Sequence, residues 1–72
     1  MSAPAYETLK IELADAVATV EMNRPEKANA MNLRMWLELR EAFKWIDEEA
    51  SIHVAVLRGN GPLFTSGIDL EL

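Results

Sequence analysis

From position 8 the chain alternates. Leu9, Ile11 and Leu13 fall on one face and Thr8, Lys10 and Glu12 on the other, the period of a half-buried strand. Ala14-Asp15 reads as a turn, because Asp tolerates left-handed backbone, although Asp-Ala is a weaker hairpin signal than Asp-Gly. Alternation resumes from Ala16 to Met22, with Ala18, Val20 and Met22 opposite Val17, Thr19 and Glu21. Two alternating runs joined by a short turn predict an antiparallel hairpin. Asn23-Arg24-Pro25 ends the second strand, since proline cannot donate to a ladder and restrains the residue before it.

The period then changes. Residues 24–31 are expected to form a loop, Asn32 an N-cap, and Leu33 to about Glu49 a helix. Met35, Trp36, Leu39, Phe43 and Ile46 recur at three- and four-residue spacing and are the expected core face. Arg34, Glu38, Glu41, Lys44 and Glu48 are expected mostly on the other side, with Arg34/Glu38 and Lys44/Glu48 at pairing distance. The run Asp47-Glu48-Glu49 reads as a solvated helix end. Trp36 and Trp45 fall on different faces, so one is assigned to the core and the other is open to a neighbour outside the chain.

His53 to Leu57 is apolar on both faces, Val54 and Val56 on one and Ala55 and Leu57 on the other. A sheet covered on both sides gives this pattern. A right-handed crossover through the helix would place the strands at 16–22 and 53–58 parallel in one sheet. One helix covers only one face of such a sheet, so the chain is expected to be structurally incomplete. His53, alone at the start of the strand, reads as an exposed structural residue rather than a catalytic one.

After this strand comes Arg58-Gly59-Asn60-Gly61-Pro62, then Leu63-Phe64, then Thr65-Ser66-Gly67-Ile68-Asp69-Leu70. The last segment has the composition of a tight turn into a helix. Gly67 permits a sharp bend and close approach to the main chain. Asp69 is a good N-cap, and the N–H of Ile68 would then be left pointing outward in the positive potential of a helix N-terminus. Such a donor can hold an oxyanion, such as a thioester enolate; most turns of this composition simply start a helix.

Composition narrows the classes. With 72 residues the chain allows one small domain, and with no cysteine it excludes disulfides and thiolate zinc sites. A single histidine, with no clustered carboxylate–histidine spacing, argues against a metal. The formal charge of −5 disfavours nucleic acid and anionic lipid as partners. No apolar run has the length of a membrane span, and Met1-Ser2-Ala3-Pro4-Ala5, expected to be a loose tail, lacks the features of a secretory signal. The expectation is a soluble intracellular protein.

Two blocks carry a resemblance. Met22-Asn23-Arg24-Pro25-Glu26-Lys27-Ala28-Asn29-Ala30-Met31-Asn32, followed in the right order by Val56-Leu57-Arg58-Gly59-Asn60-Gly61 and Phe64-Thr65-Ser66-Gly67-Ile68-Asp69-Leu70, resembles the enoyl-CoA hydratase/isomerase (crotonase) superfamily. The wording of the second block is especially similar to the dienoyl-CoA isomerase branch. The resemblance implies an α/β fold, with residues 1–72 the N-terminal β-β-α-β portion of a crotonase-like (ClpP/crotonase) ββα spiral. It also implies that the chain matches only the N-terminal part of longer family members, which are homo-oligomers, trimers or hexamers. Cytoplasmic, peroxisomal or mitochondrial settings, and a place in fatty acid beta-oxidation, are implied in the same way.

The resemblance further implies an acyl-CoA thioester as ligand, with coenzyme A part of the substrate and no separate cofactor. Family members hold an enolate between two backbone N–H groups. The Ile68 N–H corresponds to the first; the second, and the acid/base carboxylates, correspond to positions beyond residue 72. On that basis the chain alone is not expected to turn over substrate. Lys27, Ala28, Thr65, Ser66, Gly67, Ile68, Asp69 and Leu70 correspond to the coenzyme A and acyl site. Lys27 suits either a phosphate contact or a solvated loop. Glu71 stands where many members have a lysine, which weakens the expected phosphate contact. Two other readings stand beside this one: a non-catalytic module that packs against a full-length relative, and a stand-alone β-β-α-β domain without ligand.

Overall fold

The computed structural model describes residues 3–70. Strand β1 (Leu9–Ala14) and strand β2 (Val17–Met22) form the hairpin, helix α1 (Leu33–Glu48) follows, and strand β3 (Val54–Gly59) returns to the sheet. The sheet order is β1-β2-β3, with β1 antiparallel and β3 parallel to β2. Leu9 faces Met22 and Ala14 faces Val17 across the hairpin, so Asp15-Ala16 is a two-residue turn, and Asp15 takes the left-handed backbone (φ 55°) that its side chain tolerates. Asn23 N–H extends the ladder to the Thr8 carbonyl at 2.7 Å.

The predicted loop at 24–31 contains one 3-10 turn, Pro25–Lys27, followed by left-handed Ala28 (φ 52°) and Asn29 (φ 55°). Proline suits the first position of such a turn because its missing N–H would be unpaired there anyway. At the start of α1 the Asn32 side chain accepts from Met35 N–H at 2.9 Å, the cap expected from the sequence. The helix ends at Glu48, one residue earlier than the periodicity suggested, with Glu49 in extended backbone.

The core is Leu9, Ala18, Val20 and Met22 from the hairpin against Met35, Ala42 and Ile46 from α1, flanked by half-buried Ile11, Leu13, Leu39 and Trp45. Met35, Leu39 and Ile46 face the core as expected, but the buried face is turned about the helix axis from the expected one. Trp36 and Phe43, read as core, are 43% and 37% exposed, whereas Glu38, read as solvent-facing, is 5% exposed. Trp36 and Phe43 are seven residues apart and share one flank; the line 35–38–42–46 runs down the middle of the buried face. Of the two indoles, Trp45 is the one that packs on the core.

Glu38 is tolerated inside because the first residues of the hairpin saturate it. Its Oε1 accepts from the Thr8 N–H (2.8 Å) and the Thr8 hydroxyl, and its Oε2 accepts from the Glu7 N–H (3.0 Å). Arg34, expected to pair with Glu38, forms its ion pair with Glu7 instead (3.4 Å), between exposed side chains. Burial alone would push the Glu38 carboxyl up. The bonds from the Thr8 hydroxyl and from the Thr8 and Glu7 amides, with the charge of Arg34, outweigh it and hold the group below its ordinary value.

Strand β3 pairs along β2 and is otherwise bare. Val54, Val56 and Leu57 are all exposed. By register Ala55 and Leu57 share a face with Ala18 and Val20, and Val54 and Val56 with Val17 and Thr19. The α1 helix packs against β1 and β2, so the described residues leave β3 open on both faces.

A depressed carboxyl stabilises the fold above its unfolded pKa and loses that effect as pH falls through the folded value. Thermal unfolding of the chain should therefore shift to lower temperature as pH drops below the ordinary glutamate range, and Glu38→Gln should flatten that dependence. Glu38→Ala, which strands buried donors at Thr8 and Glu7, should cost about 2–3 kcal/mol in urea unfolding at neutral pH.

Candidate functional site

The two sequence blocks meet at one end of the sheet, where β2 runs into the 24–31 loop and β3 into residues 60–69. Asn29 joins them. It is wholly buried; its Oδ1 accepts from the Arg24 N–H at 2.8 Å, and its Nδ2 donates to the Asn60 and Leu63 carbonyls at 2.8 and 3.0 Å. Its own N–H donates to the Arg24 carbonyl at 2.8 Å. One amide side chain thus closes its own loop and holds the loop after β3. Asn60 adds a bond from its N–H to the Met22 carbonyl (2.9 Å) and one from its side chain to Asn23 Oδ1 (2.8 Å).

Gly59 makes the close approach possible. A Cβ there would lie 2.3 Å from the Phe64 carbonyl oxygen and 2.6 Å from that of Leu63, so the returning chain passes directly over the glycine. Gly67 differs: its φ of 102° favours glycine, but a Cβ there would meet nothing within 4 Å. The first glycine is required by space and the second by backbone conformation.

Residues 65–69 then lie along 28–31. Ser66 N–H donates to the Ala28 carbonyl (3.0 Å), the Thr65 hydroxyl to the Asn29 carbonyl (2.6 Å), and Gly67 N–H to the Thr65 hydroxyl (3.1 Å). Met31 and Ile68 form a single parallel bridge, in which Met31 N–H donates to the Gly67 carbonyl (2.8 Å) and Asp69 N–H to the Met31 carbonyl (3.1 Å). In such a bridge the N–H and C=O of Ile68 itself point to the opposite side. From Ser66 to Asp69, three amides are bonded within the chain; among the described residues none accepts the fourth, that of Ile68.

The structure thus gathers Ala28, Thr65, Ser66, Gly67, Ile68 and Asp69 in one place. Lys27 is exposed on the adjacent 3-10 turn, and Leu70 is fully exposed. Asp69 is tied back by Arg24, whose Nη1 lies 3.3 Å from its Oδ2; these side chains are only 19% and 14% exposed. The helix that Asp69 was expected to cap, and Glu71, lie outside the described residues. His53 is exposed, and its N–H donates to the Ala16 carbonyl at 2.8 Å. Among the described residues no three His, Cys, Asp or Glu side chains converge as a metal site would require, and no helix is long and apolar enough to cross a membrane.

The sequence reading missed the roles of Asn29, Arg24 and Gly59. Gly59 carried a usable signal, a glycine at the end of an apolar strand, where backbone often crosses backbone. Asn29 and Arg24 carried none beyond their place in the first block, since their partners lie up to 45 residues away.

Comparison with known proteins decides the family. The model of the enoyl-CoA hydratase/isomerase family matches residues 12–72. The chain belongs to that family. It is 46% identical over 66 residues to the mitochondrial delta(3,5)-delta(2,4)-dienoyl-CoA isomerase of Mus musculus, covering 90% of this chain and 20% of that protein. It is 36% identical over 66 residues to a hydroxycinnamoyl-CoA hydratase-lyase of Pseudomonas fluorescens, covering 92% and 24%. A crystal structure of an enoyl-CoA hydratase/isomerase from Xanthobacter autotrophicus Py2 superposes with a TM-score of 0.89 at 33% identity, covering 93% of this chain and 25% of that one. The β-β-α-β unit is therefore a portion of the crotonase-like fold, and the chain spans about a fifth to a quarter of the length of these relatives.

The two glycines should respond differently to alanine. Gly59→Ala, which drives a methyl into backbone, should cost about 3 kcal/mol or more in urea unfolding. Gly67→Ala should cost about 1–2 kcal/mol, the strain of its dihedral alone.

Proposed function

We propose that the chain supplies the first oxyanion-hole amide, the N–H of Ile68, and part of the coenzyme A site of an acyl-CoA-processing enzyme of the hydratase/isomerase type. The observation that carries this is the state of the 66–69 turn: its other three amides are bonded within the chain, while that of Ile68 faces away from its bridge partner. An amide fixed before reaction stabilises developing charge on a thioester oxygen without reorganising, and one such donor is typically worth about 3–4 kcal/mol. Leu63, Phe64 and Ile68 place exposed apolar side chains in the same segment. Apolar surface there excludes water and strengthens a bond to an oxyanion.

In this reading the second donor and the proton-transferring carboxylates come from residues outside this sequence. Ala28 and Ser66, joined by their backbones, flank the pantetheine path, and exposed Lys27 stands near enough in sequence to meet a phosphate. The relatives act on dienoyl-CoA and hydroxycinnamoyl-CoA, according to their names, which supports an unsaturated acyl-CoA as the ligand class. A mitochondrial setting is supported by the relatives named as mitochondrial dienoyl-CoA isomerases, those of Mus musculus and Homo sapiens among them.

Titrating the 72-residue chain with crotonyl-CoA, and separately with free coenzyme A, tests the reading by proton–nitrogen NMR. The Ile68 amide proton should move downfield with crotonyl-CoA and stay in place with free coenzyme A. An unmoved Ile68 amide in a titration that shifts its neighbours overturns it.

The bare faces of β3 favour a second reading, in which the chain docks as a module onto the sheet of a relative. Light scattering on the purified chain separates the two. A concentration-independent monomer counts against docking between copies; a dimer that dissociates on Val56→Lys supports it.

A further inference from the structure

The oxyanion reading uses the Ile68 amide but gives no task to the arginine of Asn-Arg-Pro. We infer that Arg24 is a positioning residue for that amide, acting through Asp69; the inference rests on the reading of Ile68 as the donor.

The backbone of Arg24 is immobilised first. Its N–H donates to Asn29 Oδ1, and its carbonyl accepts from the N–H groups of Lys27 (3.0 Å) and Asn29 (2.8 Å). From this fixed base Nη1 of the guanidinium donates both to the Ala30 carbonyl and to Asp69 Oδ2. Ala30 immediately precedes Met31, and Asp69 immediately follows Ile68. One guanidinium therefore grips both chains of the Met31–Ile68 bridge beside the bridge itself.

The location matters because of what lies on the other side. Gly67, just before Ile68, has a φ of 102° and a Cβ there would meet nothing within 4 Å, so no side-chain packing holds that joint and hydrogen bonds must. Rotation there would swing the Ile68 peptide and re-aim its N–H. The Gly67 carbonyl of that peptide accepts from Met31 N–H, and a second restraint lies on the far side, where Asp69 is held by its N–H to the Met31 carbonyl and by its carboxylate to Arg24. The ion pair is largely withdrawn from water, which limits the screening that weakens surface pairs. A lysine keeps the charge but carries it on a flexible stem, without the planar guanidinium that fixes the directions of the two Nη1 N–H groups.

Two readouts on the 72-residue chain test this. In the ligand-free protein, Arg24→Met and Asp69→Asn should each raise the hydrogen-exchange rate of the Asp69 amide about tenfold, the loss expected for one charge-assisted hydrogen bond. The hairpin amides of Ile11 and Val20 and the helix amide of Met35 should keep their wild-type rates. Arg24→Lys should fall between wild type and Arg24→Met. With crotonyl-CoA, the downfield shift of the Ile68 amide should be lost in Arg24→Met and partly restored in Arg24→Lys. Unchanged Asp69 exchange in Arg24→Met overturns the inference, as does collapse of the hairpin signals in both Arg24→Met and Asp69→Asn, which would make the pair a folding element. If exchange behaves as expected but wild type shows no Ile68 shift, the oxyanion reading fails and the positioning role toward it fails with it.

Discussion

Asn29 carries the architecture of this end of the molecule. Its carboxamide is buried and has its bonds supplied: one acceptor position filled by Arg24 N–H, and two donors used by the carbonyls of Asn60 and Leu63. A buried amide is costly unless bonded, so the loop after β2 and the loop after β3 are favoured only in the arrangement that satisfies it. The left-handed backbone at Ala28 and Asn29 is part of the same solution. It turns the chain so that the side chain points inward and the carbonyls of Ala28 and Asn29 remain available to Ser66 and Thr65.

Everything the candidate site offers follows from that junction. The 65–69 segment has little regular structure of its own. It borrows register from the 28–31 loop through side-chain and main-chain bonds, and the Met31–Ile68 bridge is the last of these. A parallel bridge uses the carbonyl before a residue and the N–H after it and spares the residue's own N–H, which leaves a single outward donor on a braced frame. Bracing of this kind distinguishes a preorganised donor from a loop amide that water would solvate and reorient.

At the same end of the sheet, where the chain enters β1, a second polar contact does comparable work for the core. Glu38 docks the helix onto the first residues of the hairpin, filling amides that begin a strand and have no ladder partner to use. Its burial shifts the helix so that Trp36 and Phe43 lie on the flank. Together with the bare β3, this leaves considerable apolar surface on a chain that spans only part of the length of its relatives.

The elements themselves were readable along the chain. The alternation at 8–22, the Asn32 cap, the three- and four-residue period of the helix and the apolar strand at 54–57 are local patterns, set by backbone geometry and by which side chains avoid water. That β2 and β3 run parallel in one sheet followed from the strand–helix–strand connection, and the motif blocks pointed to the family. Tertiary structure decided the rest, wherever the partner lies far off in sequence. A glutamate among apolar residues looks solvent-facing until Thr8 and Glu7 arrive to bond it. Asn29, Arg24 and Gly59 look like ordinary loop residues until the chain from 60 to 69 is laid against them. Periodicity reports burial in general; which polar group is satisfied, and which amide is left over, depends on distances that exist only once the chain has folded.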